Sequence, residues 1–467
     1  MTDVSDPAVD FWTRPRLKRD VAELIRLAVP IILARSGIVL MITVDIIMVG
    51  HYSSQELANQ SIALALIMPM IVIGLGLLMG TLVITANLFG AGQLHGCGKA
   101  WRNSLPYALC LGLIGMVSAF FGEPILLFLG QSPDLAASGG EIMKISGYGL
   151  PAFMVFLTTA LFLEGVKRPV PSMVFLLVAN VVNLVLNWIL IYGKFGYPEM
   201  GAEGAAWATT AARWFVAMSL VAYVWTMKDR RRFAIRGGSK LGWRAWKQQR
   251  RIGYAASIGL GAETCSFAVF SIFAGWLGTL PLAAFSLTFN LITMVFMVTL
   301  GLGSATSIRV GIAHGGNNHD DLARAGWTGL GANTVAMAAF GVLFLVAARP
   351  LAELFSNDPA LISVATPMIA FTAVLLVVDG GQGIMAYALR GRQDVWIPCG
   401  MQIFAFFGVM IPVVYLLVFM GDQGAIGLLR GILIGSGVSI GLLSWRFYKL
   451  ARWDKLAVTV TDDSIAS

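Results

Sequence analysis

Long apolar runs alternate with short polar segments along this chain. Because about 20 consecutive apolar residues cross a bilayer as a helix, each run predicts one membrane span. The predicted spans are, in chain order, 27–49, 58–83, 104–129, 143–163, 170–192, 203–226, 254–277, 283–306, 327–348, 361–388, 397–419 and 424–445. The pattern therefore predicts an all-α polytopic membrane protein with twelve transmembrane helices.

The polar stretch from Lys228 to Arg251 divides the twelve spans into two sets of six and holds ten Lys or Arg residues. Basic residues also concentrate in the even-numbered connections, so the positive-inside rule predicts a cytoplasmic linker and two cytoplasmic termini. The predicted organisation is an N-terminal tail (1–25), an N-terminal six-helix lobe (26–227), the basic linker (228–252), a C-terminal six-helix lobe (253–448) and a C-terminal tail (449–467).

Short matches between the two halves predict an internal duplication. Met200–Ala205 is similar to Met420–Ala425 at an offset of 220 residues, and an offset of 221 places Gly90 against Gly311. Gly165 before Pro171 also resembles Gly391 before Pro398. Two copies with the same topology predict lobes related by a pseudo-two-fold axis along the membrane normal, with a substrate cavity between them.

Composition agrees with a membrane protein, since 57% of the residues are hydrophobic and 12% are charged, against about 25% charged in soluble domains. The excess of basic residues, 33 against 25 acidic ones, lies mainly between spans, which favours topology signals over nucleic-acid binding. The four cysteines form no CxxC pair, so neither a zinc site nor a disulfide framework is predicted. No removable signal peptide and no phosphate-binding GxxxxGK(S/T) loop is recognised.

Three carboxylates, Asp45, Glu263 and Asp379, lie inside predicted spans. A carboxylate at that depth usually marks an ion or proton route, because its burial costs several kcal/mol unless it faces protein, water or a cation. Asn183 and Asn187 are four residues apart, hence on one helix face, and their carbonyl oxygens would suit a hard cation beside Asp45. Alternatively, the two asparagines simply hydrogen-bond a neighbouring helix.

An ordered series of motifs resembles the multidrug and toxic compound extrusion (MATE) family, NorM-type branch, from about Leu27 to about Trp445. The motifs are Pro30 fifteen residues before Asp45, Asp45–Gly50, Phe89–Gly92, Asn183–Asn187, Ile191–Gly193, Gly204–Thr209, Glu263, Asn290, Ser307–Gly311, and Asp379 ahead of Leu389–Gly391. The resemblance implies two six-helix lobes around a central cleft. It also implies export of cationic amphiphilic small molecules in exchange for protons or sodium ions, without a cofactor. A monomer in the lipid bilayer of a bacterial-type inner membrane, with no nucleic-acid partner, is expected.

The resemblance also assigns site residues. Asp45, Asn183, Asn187 and Thr209 would form the cation site of the N-terminal lobe, and Glu263 with Asp379 would form its counterpart, with Asn290 as a further matching position. A coupling sodium ion would bind at either group, and Pro30 would bend its helix.

The second group departs from the family's pattern, because Leu375, Leu376 and Phe285-Ser286 stand where relatives often have aromatic or polar residues. A carboxylate with few oxygen ligands in an apolar wall suits a site that exchanges a proton near neutral pH. We therefore expect protons rather than sodium.

Arg35, Arg213 and Arg430 also fall within spans, where each requires a partner, water or a path to the interface. Arg430 is expected to pair with Asp422 or to extend outward, and Glu164 to form a surface ion pair with the nearby Lys167 and Arg168. One of the three arginines could instead neutralise a carboxylate when no substrate is bound.

Three other functions remain as alternatives. A flippase for lipid-linked or amphiphilic substrates would be favoured by a wide cationic cavity. A membrane enzyme would need His or Cys at depth, yet the four histidines, His51, His95, His314 and His319, fall in predicted loops. A passive channel fits repeated lobes less well than alternating access does.

Overall fold

The computed structural model describes residues 13–238 and 242–465, with side chains to residue 452. Within these ranges the chain is all-α and contains no strand. The helices, numbered in chain order, are α1 (Arg14–Tyr52), α2 (Ser54–Gly90), α3 (Leu94–Phe120), α4 (Gly122–Phe128), α5 (Pro133–Gly165), α6 (Val170–Ile191), α7 (Gly201–Thr226), α8 (Lys247–Trp276), α9 (Thr279–Gly315), α10 (His319–Val346), α11 (Ala348–Phe355), α12 (Pro359–Gly391), α13 (Trp396–Met420, with π-helical turns at Phe404–Met410 and Leu416–Met420) and α14 (Gly424–Ile465).

The twelve predicted spans correspond to twelve of these helices. Eleven helices of the described chain are long and apolar enough to cross a membrane. The twelfth is α7, which matches the predicted span 203–226 and is 26 residues long. It is rich in alanine and carries Glu203 and Arg213, so its composition is less apolar than that of the others. The predicted all-α, twelve-helix fold is confirmed.

The chain folds into two compact units. The first unit is Leu33–Ser257, and the second comprises Ile258–Ser467 together with Met1–Ile32. The early part of α1 thus belongs to the second unit, and the early part of α8 belongs to the first. The predicted tail, lobe and linker boundaries stay predictions, and residues 1–12, 239–241 and 466–467 of those segments lie outside the described residues.

Helix α5 is the central helix of the first unit. Of its most apolar stretch 83% is buried, against 28–39% for the other spanning helices that begin before residue 200. It packs against α2, α3, α4 and α7. Phe162 of α5 packs against Trp101 of α3, with ring centroids 5.7 Å apart. The Trp101 indole N–H donates a hydrogen bond to Thr159 Oγ1 of α5 at 3.3 Å.

Helix α12 has the corresponding place in the second unit, packed against α9, α10 and α14. Proline at the first turn and an Asp358 side chain that accepts from the Ala360 N–H start the helix, as expected for an N-cap. Every residue from Asp379 to Gly391 is buried. A polar side chain in that stretch must therefore find its partners within the protein.

Helix positions confirm the internal repeat. Helices α2 and α9 both have 37 residues and start at Ser54 and Thr279, 225 positions apart. Helices α5 and α12 both have 33 residues and start 226 positions apart. The predicted pairing of Gly90 with Gly311 is wrong, because Gly90 ends α2 whereas Gly311 lies inside α9, which ends at Gly315. Glycine-rich segments are too common here for one short match to define the register.

The prediction that the four histidines lie in loops is also wrong. His51 is in the last turn of α1 and His314 in the last turn of α9. His95 and His319 lie in the first turns of α3 and α10. All four nevertheless lie at helix ends, since polar side chains are seldom placed in an apolar core.

Candidate functional site

A buried polar cluster surrounds Asp45 in the first unit. Asn183 and Asn187 on α6 each donate an amide N–H to Asp45 Oδ1, at 3.1 and 2.6 Å, and Thr209 on α7 donates its hydroxyl to Oδ2 at 2.5 Å. Asn187 also donates to Asn183 Oδ1 at 3.2 Å. The structure thus brings together four side chains from three helices that the sequence placed in one site.

This cluster shields a carboxylate from the surrounding apolar helices. Asn183 and Asn187 are fully buried, and Asp45 is 5% exposed. The asparagines bond a neighbouring helix, as the alternative interpretation expected, and the residue they bond is Asp45. Asn187 Oδ1 is buried without a hydrogen-bond partner. If the side-chain amide of Asn187 rotates by 180°, its oxygen and nitrogen exchange places. The oxygen would then face a cation bound at Asp45.

Arg213 lies one helical turn beyond Thr209 on α7 and interacts electrostatically with Asp45. Its guanidinium lies over the Phe153 ring, 5.3 Å from the centroid, and its Nη1 is buried without a partner. Arg213, Thr209, Phe153 and Met68 line a cavity of about 40 Å³, which is large enough to hold water. A fixed positive charge therefore lies close to the Asp45 cluster.

A second polar cluster joins Glu263 on α8 to Asp379 on α12 in the second unit. Asp379 Oδ1 accepts from Ser436 Oγ at 2.8 Å, and Glu263 Oε1 accepts from Gln382 Nε2 at 3.3 Å. The two carboxylates interact electrostatically with each other. Each therefore has one hydrogen-bond donor in the described chain, whereas Asp45 has three.

Four residues of this second cluster were not predicted from the sequence. Gln382 Oε1 accepts from Gln402 Nε2 at 3.4 Å and from Ser439 Oγ at 3.3 Å, and Ser436 bonds Asp379. Spacing could have indicated them, because Asp379 and Gln382 lie three apart on α12, as Ser436 and Ser439 do on α14. Such spacing places two polar groups on one helix face.

Asn290 does not contribute a hydrogen bond to the second cluster within the described residues. Its side chain on α9 is exposed, and within the described residues no hydrogen bond joins it to either carboxylate. Leu375 and Leu376, one turn before Asp379, are buried in the apolar core, as is Phe285. The carboxylates of this unit therefore lie beside an apolar wall.

The in-span arginines Arg35 and Arg430 each have a described partner, in the first and the second unit respectively. Glu164 is buried at 2% exposure and pairs with Arg35 at 3.4 Å, so the predicted surface pair with Lys167 and Arg168 is wrong. The end of α5 is buried inside the unit, where Glu164 meets Arg35 of α1. Arg430 donates to Gln423 Oε1 at 2.9 Å rather than to Asp422.

Within the described chain, no group of three or more His, Cys, Asp or Glu side chains could hold a metal ion. Ligands for a sodium ion would thus come from carboxylate, amide and hydroxyl oxygens, the kinds that hard cations prefer. Such oxygens are present in both clusters.

Comparisons with known proteins agree with this architecture. The sequence model of the MatE family matches residues 30–189 and 256–416. A probable multidrug resistance protein NorM from Caulobacter vibrioides is 34% identical over 447 residues, 95% of each chain. Multidrug resistance protein PmpM from Pseudomonas aeruginosa is 31% identical over 461 residues, 96% of this chain and 95% of that protein.

Solved structures share the fold. An outward-facing multidrug resistance MATE family transporter of the MOP superfamily has a TM-score of 0.85 at 19% identity, over 93% of this chain and 97% of that one. The eukaryotic MATE transporter AtDTX14 has a TM-score of 0.83 at 20% identity, over 95% of this chain and 99% of that one. The chain belongs to the MATE family, in its NorM-type branch.

Proposed function

We propose that this protein is a secondary active antiporter of the inner membrane, which exports organic cations in exchange for protons or sodium ions by alternating access. The observation that carries the proposal is the placement of the three in-span carboxylates. Asp45 lies in one polar cluster of the first unit, and Glu263 and Asp379 share one in the second. Carboxylates inside spans usually mark an ion or proton route, because burial of their charge is costly.

Protons are the favoured coupling ion. A sodium ion needs several oxygen ligands at once, whereas a proton needs a single carboxylate oxygen. Glu263 and Asp379 have one described hydrogen-bond donor each and lie near buried Leu375 and Leu376. This surrounding supports protonation of the second cluster more than coordination of a metal cation.

Organic cation and coupling ion would compete for the same negative charge. With the carboxylates ionised, an organic cation binds from the cytoplasmic side. After the protein opens outward, protonation neutralises the carboxylates and releases the cation. The energy of the ion gradient thus drives export, because the loaded and unloaded charge states differ in their affinity for the substrate.

Transport of ethidium in inverted vesicles tests this proposal, with a proton gradient and a sodium gradient imposed separately. The wild type should transport under the proton gradient alone. Asp45→Asn, Glu263→Gln and Asp379→Asn should each lose at least about 90% of the transport, the scale expected when an obligatory charge is removed. Asp134→Asn is the matched control, because Asp134 is exposed in the first turn of α5.

Transport driven by sodium at fixed pH would overturn the choice of ion but keep the antiporter. Full activity in all three carboxylate variants would contradict the antiporter itself and favour the flippase. The flippase requires a wide cationic cavity. The first unit has a cavity of that charge, but none of the residues that line it belongs to either carboxylate cluster.

A further inference from the structure

A groove of about 750 Å³ lies in the first unit beside the basic linker. One wall is a stripe of α3 that contains Arg102, Leu105 and Leu109, which are spaced three and four residues apart and so share one helix face. Val221 and Trp225 of α7, also four apart, line the same groove. The volume is in the range of about 300–1,000 Å³ that small-molecule sites occupy.

The linker end of the groove is positively charged. Arg102 lines it, and its Nε and Nη1 are buried without a hydrogen-bond partner in the described structure. Its guanidinium lies against the backbone of Gly237, since a Cβ at that glycine would be 3.0 Å from Arg102 Cζ. Arg236 lines the same end. Buried donors without an acceptor are costly, so an anion here would satisfy groups that the protein leaves unpaired.

No acidic residue compensates this charge among the described residues that line the groove. Asp229 in the same linker is bonded by Arg168 and also faces Arg232. The hydrogen bond from Arg168 lowers the pKa of Asp229 below its usual value. That carboxylate is therefore already paired, and Arg102 and Arg236 remain available to an external anion.

Away from the arginines the groove is apolar. Seven residues separate Arg102 from Leu109, which is about 10 Å along a helix at 1.5 Å per residue. Leu105, Leu109, Val221 and Trp225 line this length. Trp225 is 54% exposed, one residue before α7 ends, where aromatic side chains typically meet the membrane interface. The site therefore combines an anion-binding end with an apolar channel between two spanning helices.

We propose that this groove binds an anionic phospholipid of the surrounding bilayer, with the phosphate held by Arg102 and Arg236 and an acyl chain between α3 and α7. The lipid is the committed occupant because α3 and α7 cross the bilayer, and because basic segments next to spans attract anionic lipids. Neither the carboxylate clusters nor the export reaction requires this site. It is a separate lipid-binding function of the first unit.

The test uses the purified, delipidated full-length protein with added phosphatidylglycerol or phosphatidylcholine, and measures bound lipid by native mass spectrometry. The wild type should prefer phosphatidylglycerol by about tenfold or more, since two basic residues near the headgroup attract an anionic lipid. Arg102→Gln with Arg236→Gln should lose this preference. Arg231→Gln, an exposed arginine of the same linker that does not line the groove, should keep it.

A second variant protects the test against misfolding of the arginine variant. Leu109→Trp keeps both arginines but fills the apolar part, so it should also lose the bound phosphatidylglycerol. Equal effects of all three arginine substitutions would show diffuse surface charge and overturn the proposal. Competition by inorganic phosphate at the same concentration as the lipid would overturn it as well, because the acyl chain would then contribute nothing.

Discussion

Each carboxylate cluster has a buried arginine that acts on it, Arg213 on Asp45 in the first and Arg390 on Glu263 in the second. The Arg213 guanidinium is buried beside Phe153, one turn from Thr209, and acts electrostatically on Asp45. The first cluster therefore contains one negative and one nearby positive charge. A cation arriving at Asp45 must overcome repulsion from Arg213, so this residue lowers the cation affinity of the first unit.

Removing this positive charge should strengthen cation binding at Asp45. For Arg213→Met we expect the concentration of coupling ion at half-maximal ethidium transport to fall by about fivefold, which corresponds to roughly 1 kcal/mol of relieved repulsion at a protein-like dielectric constant. Arg430→Met is the matched control, because Arg430 bonds Gln423 in the second unit. An unchanged half-saturating concentration in Arg213→Met would show that Asp45 does not sense this arginine.

Single polar residues could be predicted from the sequence only where their type and spacing were unusual. Asp45 inside an apolar span, and Asn183 and Asn187 one turn apart in another, were unusual enough to be noticed. The structure brings these three residues together with Thr209. Their role in coupling stays a prediction. Gln382 and Ser436 did not stand out, since serine and glutamine in a span more often bond their own helix or a neighbour. Glu164 was assigned to the nearest bases in sequence, but its partner comes from α1, 129 residues away.

The early part of α1 is fastened to the second unit by a buried ion-pair network. Asp20, 3% exposed at its side chain, accepts from Arg309 Nη2 at 2.9 Å and lies 3.5 Å from Arg324 Nε. Glu23 is 3.5 Å from Arg309. Pro30 lies inside the same helix, where proline removes a helix hydrogen bond, and the first unit begins three residues later at Leu33. Asp20 is thus the buried acidic centre shared by two arginines, and each arginine has a second, less buried acid: Glu23 for Arg309 and Asp321 for Arg324.

Loss of this centre should be strongly destabilising. Asp20→Asn removes the charge that the two guanidinium groups share and leaves each with one partly exposed carboxylate. The cost should therefore approach, without exceeding, the about 3–5 kcal/mol of a fully broken buried pair. A large fall in the thermal melting temperature of the purified protein is expected. Glu141→Gln in the exposed pair with Lys144 is the reference and should change stability by less than about 1 kcal/mol. Similar shifts in both variants would contradict the structural role of Asp20.

Helix ends were less predictable than the helices themselves. The apolar run 27–49 became α1 from Arg14 to Tyr52, because a helix continues beyond the bilayer wherever ion pairs and packing support it. The run 104–129 joined two helices, α3 and the short α4. Hydropathy detects residues that lie in lipid or in a core. It does not detect the break at Phe121, since both sides of the break are apolar.

Two glycine contacts recur at equivalent places in the whole chain. A Cβ at Gly76 would be 2.6 Å from Ser257 Cα, and a Cβ at Gly301 would be 3.0 Å from the Ile32 backbone N. Gly76 and Gly301 are 225 positions apart, as are Ile32 and Ser257. Both glycines therefore permit the same close approach of two helices, α8 to α2 in the first unit and α1 to α9 in the second.

Alanine at either glycine should be destabilising, because the methyl group would overlap backbone atoms that cannot easily move. We expect Gly76→Ala and Gly301→Ala each to cost about 1–3 kcal/mol, read as lower melting temperatures. Gly331→Ala in α10 is the control, since nothing lies within 4 Å of its added Cβ, and it should be neutral or stabilising by up to about 1 kcal/mol. Equal behaviour of the three variants would contradict the close packing.

In each half of the chain, the early part of the first helix (α1 or α8) belongs to the unit formed by the other half. This arrangement has an evolutionary consequence. The early part of α1 has its packing partners in the unit built from the second half, and the early part of α8 has its partners in the unit built from the first half. An ancestral chain of half this length would have left that part of its first helix unburied unless a second copy supplied the surface, as in a domain-swapped dimer. Gene fusion through the basic linker would then have made an obligate pairing of two copies permanent within one polypeptide.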